Sequence, residues 1–290
     1  MQDSGEDAGE DDRLAALLAG HRILFCHGLL GEVADWLHPF GMDYMHSQAD
    51  WLRRIGLTVA VVRLRTGAPV GVNAGRIAAA IAADPRPVVL VGHSKGGLDA
   101  LAALLLPGIA TRCRGFIALQ SPFHGSPMAD AICARRWLHL ALHRLGRLTR
   151  LGTGRGLCDL TTGVRQAWMQ DRAAAIETLV DTLPCVALAT VLERRWRRQE
   201  AVFLLLARWM ERQGARENDG LVSVASARLP GAAFELLEGG HRALVTAGPG
   251  RDPVGVLRRQ LLWVAEGGPC GPAAIPPRPR PAPVPHPRSR

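Results

Sequence analysis

The sequence predicts an α/β domain: a mostly parallel central sheet flanked by helices, with an inserted helical cap. Three observations carry this. Over the first hundred residues, short apolar runs alternate with helical patterns, as in a parallel sheet covered on both faces. Within that alternation, Val88–Gly97 reads Val-Val-Leu-Val-Gly-His-Ser-Lys-Gly-Gly, a buried strand that runs into a sharp turn and then a helix. Finally, 290 residues with 48% hydrophobic content are enough for one large domain with a sizeable core.

Composition narrows the function classes. The net charge of +9 suggests a nucleic-acid partner, but the basic residues are almost all arginine and Lys95 is the only lysine. With abundant Ala, Gly and Pro, that pattern points to a GC-rich coding bias. No nucleic-acid motif is present and aromatics are only 5%, so no nucleic-acid partner is expected. The six cysteines (Cys26, Cys113, Cys133, Cys158, Cys185, Cys270) have no metal-ligand spacing. Several sit in apolar runs as small core residues; a Cys158–Cys185 disulfide is allowed by the spacing but not required. The first twelve residues are acidic rather than basic-then-apolar, which does not read as a signal peptide, and no run reaches membrane-spanning length. The expectation is a cytoplasmic protein.

Residues 1–20 form an acidic N-terminal arm, expected to be disordered up to a short amphipathic turn at Leu14–Leu18. The main domain spans 21–266. Its first strand, Arg22–Cys26, ends in His27-Gly28-Leu29-Leu30-Gly31. Trp36–Tyr44 has bulky side chains and little periodicity, and reads as a loop bordering a pocket or as a satellite of the core. Asp50–Ile55 is helical, Leu57–Leu64 the next strand, and Asn73–Ala83 an alanine-rich helix ahead of the Val88 strand. Leu98–Leu106 is the helix after the turn.

Strand Arg114–Gln120 leads into Ser121-Pro122-Phe123-His124-Gly125-Ser126-Pro127. A loop at the carboxyl end of a central strand lines the crevice of open α/β sheets, so Phe123 and His124 are candidate substrate contacts, together with His27. A hydrogen-bonded loop histidine is the plainer role for His124. The cap covers about 128–184, rich in Ala, Leu and Arg at helical spacing. Cys185–Val191 returns to strand. An extra amphipathic helix covers about 193–216, with Val202, Leu205, Leu206 and Trp209 on its apolar side. Such a helix is compatible with transient contact with a membrane or lipid surface. Ala233–Leu237 is the last strand. Residues 267–290, Pro- and Arg-rich, form a disordered tail of polyproline II character.

Gly92-His93-Ser94-Lys95-Gly96 is G-x-S-x-G between a strand and a helix, the setting of an exposed nucleophilic serine, Ser94. His27-Gly28-Leu29-Leu30-Gly31 after an early strand is where half of an oxyanion hole would lie. The N–H of Leu29 would join that of Lys95, because a tetrahedral intermediate puts a full charge on one oxygen. Asp219, on the turn Glu217-Asn218-Asp219-Gly220, suits a carboxylate that orients an imidazole. His241, after Gly239-Gly240, suits the general base. Asp159 and Asp181 are rival acids within the cap.

These segments, with Ser121–Ser126 and Asn218–Ser223, resemble the lipase branch of the α/β-hydrolases, especially bacterial triacylglycerol-lipase-like proteins. The resemblance spans 22–245 and matches the chain order Ser94, Asp219, His241. It implies the α/β-hydrolase fold and ester hydrolysis through an acyl-enzyme on Ser94, with no cofactor and no obligate protein partner. Many such lipases carry calcium on an acidic residue just after the catalytic histidine. Here His241-Arg242-Ala243-Leu244 offers none, so no metal is expected. With few aromatics, the expected substrate moves from emulsified triglyceride towards a smaller or intracellular ester. An acyltransferase or thioesterase would use the same three residues, and a non-catalytic binding module on this fold is the alternative from another class.

Overall fold

A computed structural model describes residues 3–29, 43–65, 67–135, 155–192 and 201–269. Its strands are β1 (Arg22–Cys26), β2 (Thr58–Val61), β3 (Val88–His93), β4 (Cys113–Leu119), β5 (Cys185–Val191) and β6 (Ala233–Glu238). They form one sheet in the order β2-β1-β3-β4-β5-β6, and every neighbouring pair is parallel. The helices are α1 (Asp3–Leu17), α2 (His46–Arg54), α3 (Val70–Ala82), α4 (Lys95–Leu104), α5 (Pro127–Ala134), α6 (Arg155–Cys158), α7 (Thr162–Asp171), α8 (Ala173–Thr182), α9 (Ala201–Arg212), α10 (Val224–Ala227) and α11 (Pro253–Ala265).

The central strands are apolar throughout because both sheet faces are covered. Side chains alternate between the faces. Leu24, Leu90, Phe116, Ala118 and Ala187 meet Ile77 and Ile81 of α3, Leu98 and Leu101 of α4, and Ile176 and Leu179 of α8. Ile23, Phe25, Val89, Val91, Ile117 and Val186 point the other way, onto Trp51 and Leu52 of α2, Leu257 and Leu261 of α11, and α1. Short, largely exposed β2 forms one edge.

The acidic arm corrects the expectation of disorder, since it is a helix. Leu14 and Leu18 of this arm are fully buried, each burial contributing about 1.5–3 kcal/mol. Arg258 of α11 reaches Asp11 at 2.7 Å and Asp7 at 2.5 Å, and the Trp51 indole N–H donates to Asp11 at 3.1 Å. These partners lie far along the chain, out of sight of local composition.

Where described, the insertion between β4 and β5 is helical, as expected; 136–154 lie outside the described residues. Its last helix, α8, packs on the sheet as a flanking layer through Ile176, Leu179 and Val180. In α9 the buried side is Leu204, Ala207 and Met210, while Leu205 is 66% exposed, which corrects the expected apolar face. The reason is the partner surface: α9 packs on the loops after β5 and β6, with Phe203 against Gly220 and Gly240. Residues 193–200, and the tail beyond 269, fall outside the described residues. Cys158 lies beside Cys133 (Sγ–Sγ 3.4 Å), whereas Cys185 is buried in β5, so the allowed Cys158–Cys185 pairing does not form. Among the described residues no helix is long and apolar enough to cross a membrane.

From β1 the chain moves outward to β2, returns across β1 to β3, and then proceeds steadily to β6. The order therefore reverses between β1 and β3. In open α/β sheets, the crevice at the carboxyl ends of the strands flanking such a reversal is the ligand position.

Candidate active site

At that reversal the loop after β1 meets the turn after β3. Ser94 has φ 52° and ψ −126°, a conformation that typically costs a non-glycine residue about 1–3 kcal/mol. The surroundings hold it there: its N–H donates to Leu119 O (2.9 Å) and its carbonyl accepts from Gly97 N–H (3.1 Å). Close backbone approach is the condition for this turn. A Cβ on Gly96 would lie 2.0 Å from Cys26 O, and one on Gly92 would lie 2.6 Å from Gly97 Cα. Only glycine fits at either position.

Asp219, Ser94 and His241 come together from three different loops. His241 Nδ1 lies 2.8 Å from Asp219 Oδ2, and its Nε2 lies 3.0 Å from Ser94 Oγ. All three are nearly buried. Asp219 sits on a turn closed by Gly220 (φ 99°), and Asn218 Oδ1 accepts from Gly220 N–H at 2.8 Å. Its Oδ1 takes the N–H groups of Leu221 (2.9 Å) and Val222 (2.8 Å), which leaves Oδ2 for the imidazole. Gln120, itself at φ 51°, donates to Asp219 Oδ2 (3.2 Å) and to Gly240 O (3.0 Å), and also bonds Thr190. The His241 N–H donates to Asp219 O (3.0 Å), so backbone and side chain are both tied to the acid loop.

Gly28 lies directly against the serine: a Cβ there would be 2.8 Å from Ser94 Cβ. Leu29, the expected donor, follows it; Leu30 and Gly31 fall outside the described residues. Lys95 opens α4, so its N–H is among the unpaired amides of a helix start. The Lys95 side chain is fully buried and pairs with Asp99 at 2.8 Å, while Asn73 donates to the same carboxylate at 2.8 Å. Burial pushes the Asp99 carboxyl up to about 6, against the opposing pull of Lys95 and Asn73. Removing one partner strands a buried charge. Asp99→Ala is therefore expected to lower unfolding stability by about 3–5 kcal/mol, and Lys95→Met with Asp99→Leu to regain most of it. Denaturant unfolding of the three proteins measures both.

The expected substrate contacts fare differently. Phe123 is fully buried in the core and its carbonyl accepts from Arg165 Nε, which corrects the expectation that it meets substrate. His27 is buried, its ring edge-on to Tyr44 at 5.0 Å. His124 lines a separate cavity of about 610 Å³ with Met169, Ile176, Glu177 and Asp181, to which Ser94, Asp219 and His241 contribute nothing. Asp159 accepts from Val70 N–H at 2.6 Å, away from the imidazole, and Asp181 lines the same cavity as His124. Sequence reasoning missed Gln120, Tyr44 and His93 as neighbours of this site; only His93, inside the G-x-S-x-G segment, had a local signal. No group of three or more metal-ligating side chains gathers among the described residues.

The sequence profile of the alpha/beta hydrolase family matches residues 23–259. A mature lipase of Bacillus licheniformis is 25% identical, with a TM-score of 0.59 over 76% of this chain and 84% of its own. A metagenomic carboxyl esterase is 22% identical, with a TM-score of 0.62 over 86% and 75%. Lipase 1 of Pelosinus fermentans is 12% identical, with a TM-score of 0.56 over 85% and 99%. The latter two show likeness of fold alone. No curated protein matches the chain.

Proposed function

The chain belongs to the alpha/beta hydrolase family, and we propose that it is a serine carboxylic-ester hydrolase acting through an acyl-enzyme on Ser94. One observation carries the proposal: the His241 imidazole lies within hydrogen-bond distance of both Asp219 Oδ2 and Ser94 Oγ, with the serine in a strained backbone conformation. The mature Bacillus licheniformis lipase, at 25% identity, supports ester chemistry.

His241 Nε2 takes the Oγ proton as Ser94 attacks the ester carbonyl carbon. Asp219 holds the proton on Nδ1 and stabilises the imidazolium without becoming protonated. The carbonyl oxygen, now negative, is received by the N–H groups of Leu29 and Lys95. As the carbonyl re-forms, the ester C–O bond breaks and the imidazolium protonates the leaving alkoxide, which departs as an alcohol. Water then attacks the acyl carbon, giving up a proton to His241. Collapse of that second intermediate releases the carboxylic acid and returns the proton to Ser94.

A panel of p-nitrophenyl esters from acetate to palmitate, run with and without an added alcohol, tests the substrate class. The expected result is turnover of short and medium chains, with free acid as the main product. Transesterification as the dominant outcome would move the assignment to acyl transfer, and absence of turnover on every ester would reject it.

A further inference from the structure

Two residues outside the Ser94–His241–Asp219 line form a chain of hydrogen bonds behind it. Tyr44, the only tyrosine in the sequence, is buried with its hydroxyl 2.6 Å from His93 Nδ1 and 3.0 Å from Gly28 N. His93 is buried as well, and its Nε2 lies 3.0 Å from the carbonyl oxygen of His241. The proton positions follow from the chemistry of the groups. A carbonyl oxygen only accepts, so His93 Nε2 carries hydrogen. Nδ1 of the neutral ring must then accept, so Tyr44 donates to it and takes the Gly28 N–H in turn. Burial first, and the nearby His241 second, hold the His93 imidazole well below the ordinary histidine range. Among the described residues, the titratable or polar groups facing it are His241, His27, Tyr44 and Gln120.

These bonds tie together the three segments whose relative positions decide the chemistry. Gly28 precedes Leu29, the proposed oxyanion donor. His93 precedes Ser94. The His241 carbonyl belongs to the proposed general base, whose own N–H is already held by Asp219 O (3.0 Å). His241 is thus gripped at its N–H, its carbonyl and its Nδ1. Misplacing a catalytic group by about 1 Å can cost about 100-fold in rate, so the grip bears directly on turnover.

We propose that Tyr44 and His93 are positioning residues for the Ser94 reaction, a relay from Gly28 N–H through the Tyr44 hydroxyl and the neutral His93 ring to the His241 carbonyl, which fixes the base and the oxyanion loop relative to the serine. The proposal rests on the hydrolase reading above. Both side chains are buried behind Ser94 and His241. The links depend on one another: without the Tyr44 hydroxyl the His93 ring loses the donor that fixes its tautomer and so its Nε2 hydrogen towards His241 O, and without the His93 ring the Tyr44 hydroxyl loses the acceptor that orients it towards Gly28 N–H.

A double-mutant cycle on p-nitrophenyl butyrate turnover tests this. Tyr44→Phe keeps the ring and its edge contacts but removes the hydroxyl. His93→Asn keeps a polar group towards Tyr44 but loses the donor to His241. Each is expected to lower kcat about tenfold or more with KM within about twofold, and the double variant to lose no more than about twofold beyond the weaker single. Melting temperatures, measured alongside, establish that each variant is folded at assay temperature. Unchanged kcat in folded Tyr44→Phe, or losses that multiply in the double variant, would overturn the relay while leaving the hydrolase reading intact. A folded wild type that neither turns over esters nor reacts with a fluorophosphonate would overturn the hydrolase reading, and the relay with it.

Discussion

Ser94→Ala is expected to lower kcat on a short-chain p-nitrophenyl ester by roughly 10⁵–10⁶-fold, the scale on which loss of a serine nucleophile acts. The size follows from the position of the residue. Ser94 Oγ is the hydroxyl 3.0 Å from His241 Nε2, and without it the proposed mechanism has no atom to carry the acyl group between its two half-reactions. Binding should survive, since the substitution removes one oxygen and fills no space. KM is therefore expected to stay within a few-fold. Relief of strain should be modest, because alanine at φ 52° is no more at ease than serine. Steady-state kinetics on folded protein, with melting temperature as a control, read out both expectations. A variant retaining a tenth of wild-type kcat would remove Ser94 from the mechanism.

Asp219→Asn is the second large effect, expected at roughly 10⁴-fold in kcat with little loss of binding. Hydrogen-bond polarity is the cause. Asp219 Oδ1 already accepts from two backbone N–H groups, at 2.9 and 2.8 Å, so an asparagine keeps its oxygen there and turns its NH₂ towards His241. That NH₂ faces Nδ1, and the imidazole answers by moving its proton to Nε2. The tautomer then presents a donor to Ser94 Oγ and can no longer take the serine proton. The same NH₂ also meets the Gln120 amide donor at 3.2 Å, so on that side the substitution places two donors against each other. Stability should fall by about 1–3 kcal/mol, the usual cost of leaving a buried polar group unmatched. If Asp219→Asn lost no more than tenfold, the carboxylate would have no orienting role.

How much of this the sequence shows depends on how local each signal is. Ser94 was legible because the strand, the glycines and the helix that create its backbone strain lie within about ten residues of it. Asp219 and His241 were legible for a similar reason: each sits on a turn whose glycines announce it, and the chain order did the rest. The central strands were legible because both sheet faces are covered there, which makes them short, largely apolar runs, whereas the edge strands β2 and β6 are partly exposed. Tyr44 was not, since its stretch has no periodicity and its partner His93 is 49 residues away. The acidic arm misled for the same reason, its counter-charge Arg258 lying 247 residues downstream of Asp11. Phe123 sits on a loop at the crevice end of β4, yet its ring is fully buried in the core; a local pattern marks the loop but not the side on which a ring falls. In α9, apolar residues occur all round the helix, so the buried stripe was decided by the loops it covers rather than by its own pattern.

The most direct test of the serine-nucleophile account is covalent labelling of the folded protein with a fluorophosphonate, read by intact mass and by peptide mapping, beside Ser94→Ala and His241→Ala. The account predicts one phosphonyl group per chain on Ser94, lost in both variants. A wild type that stays unlabelled while folded, with detergent present, or that labels at another residue, would contradict it.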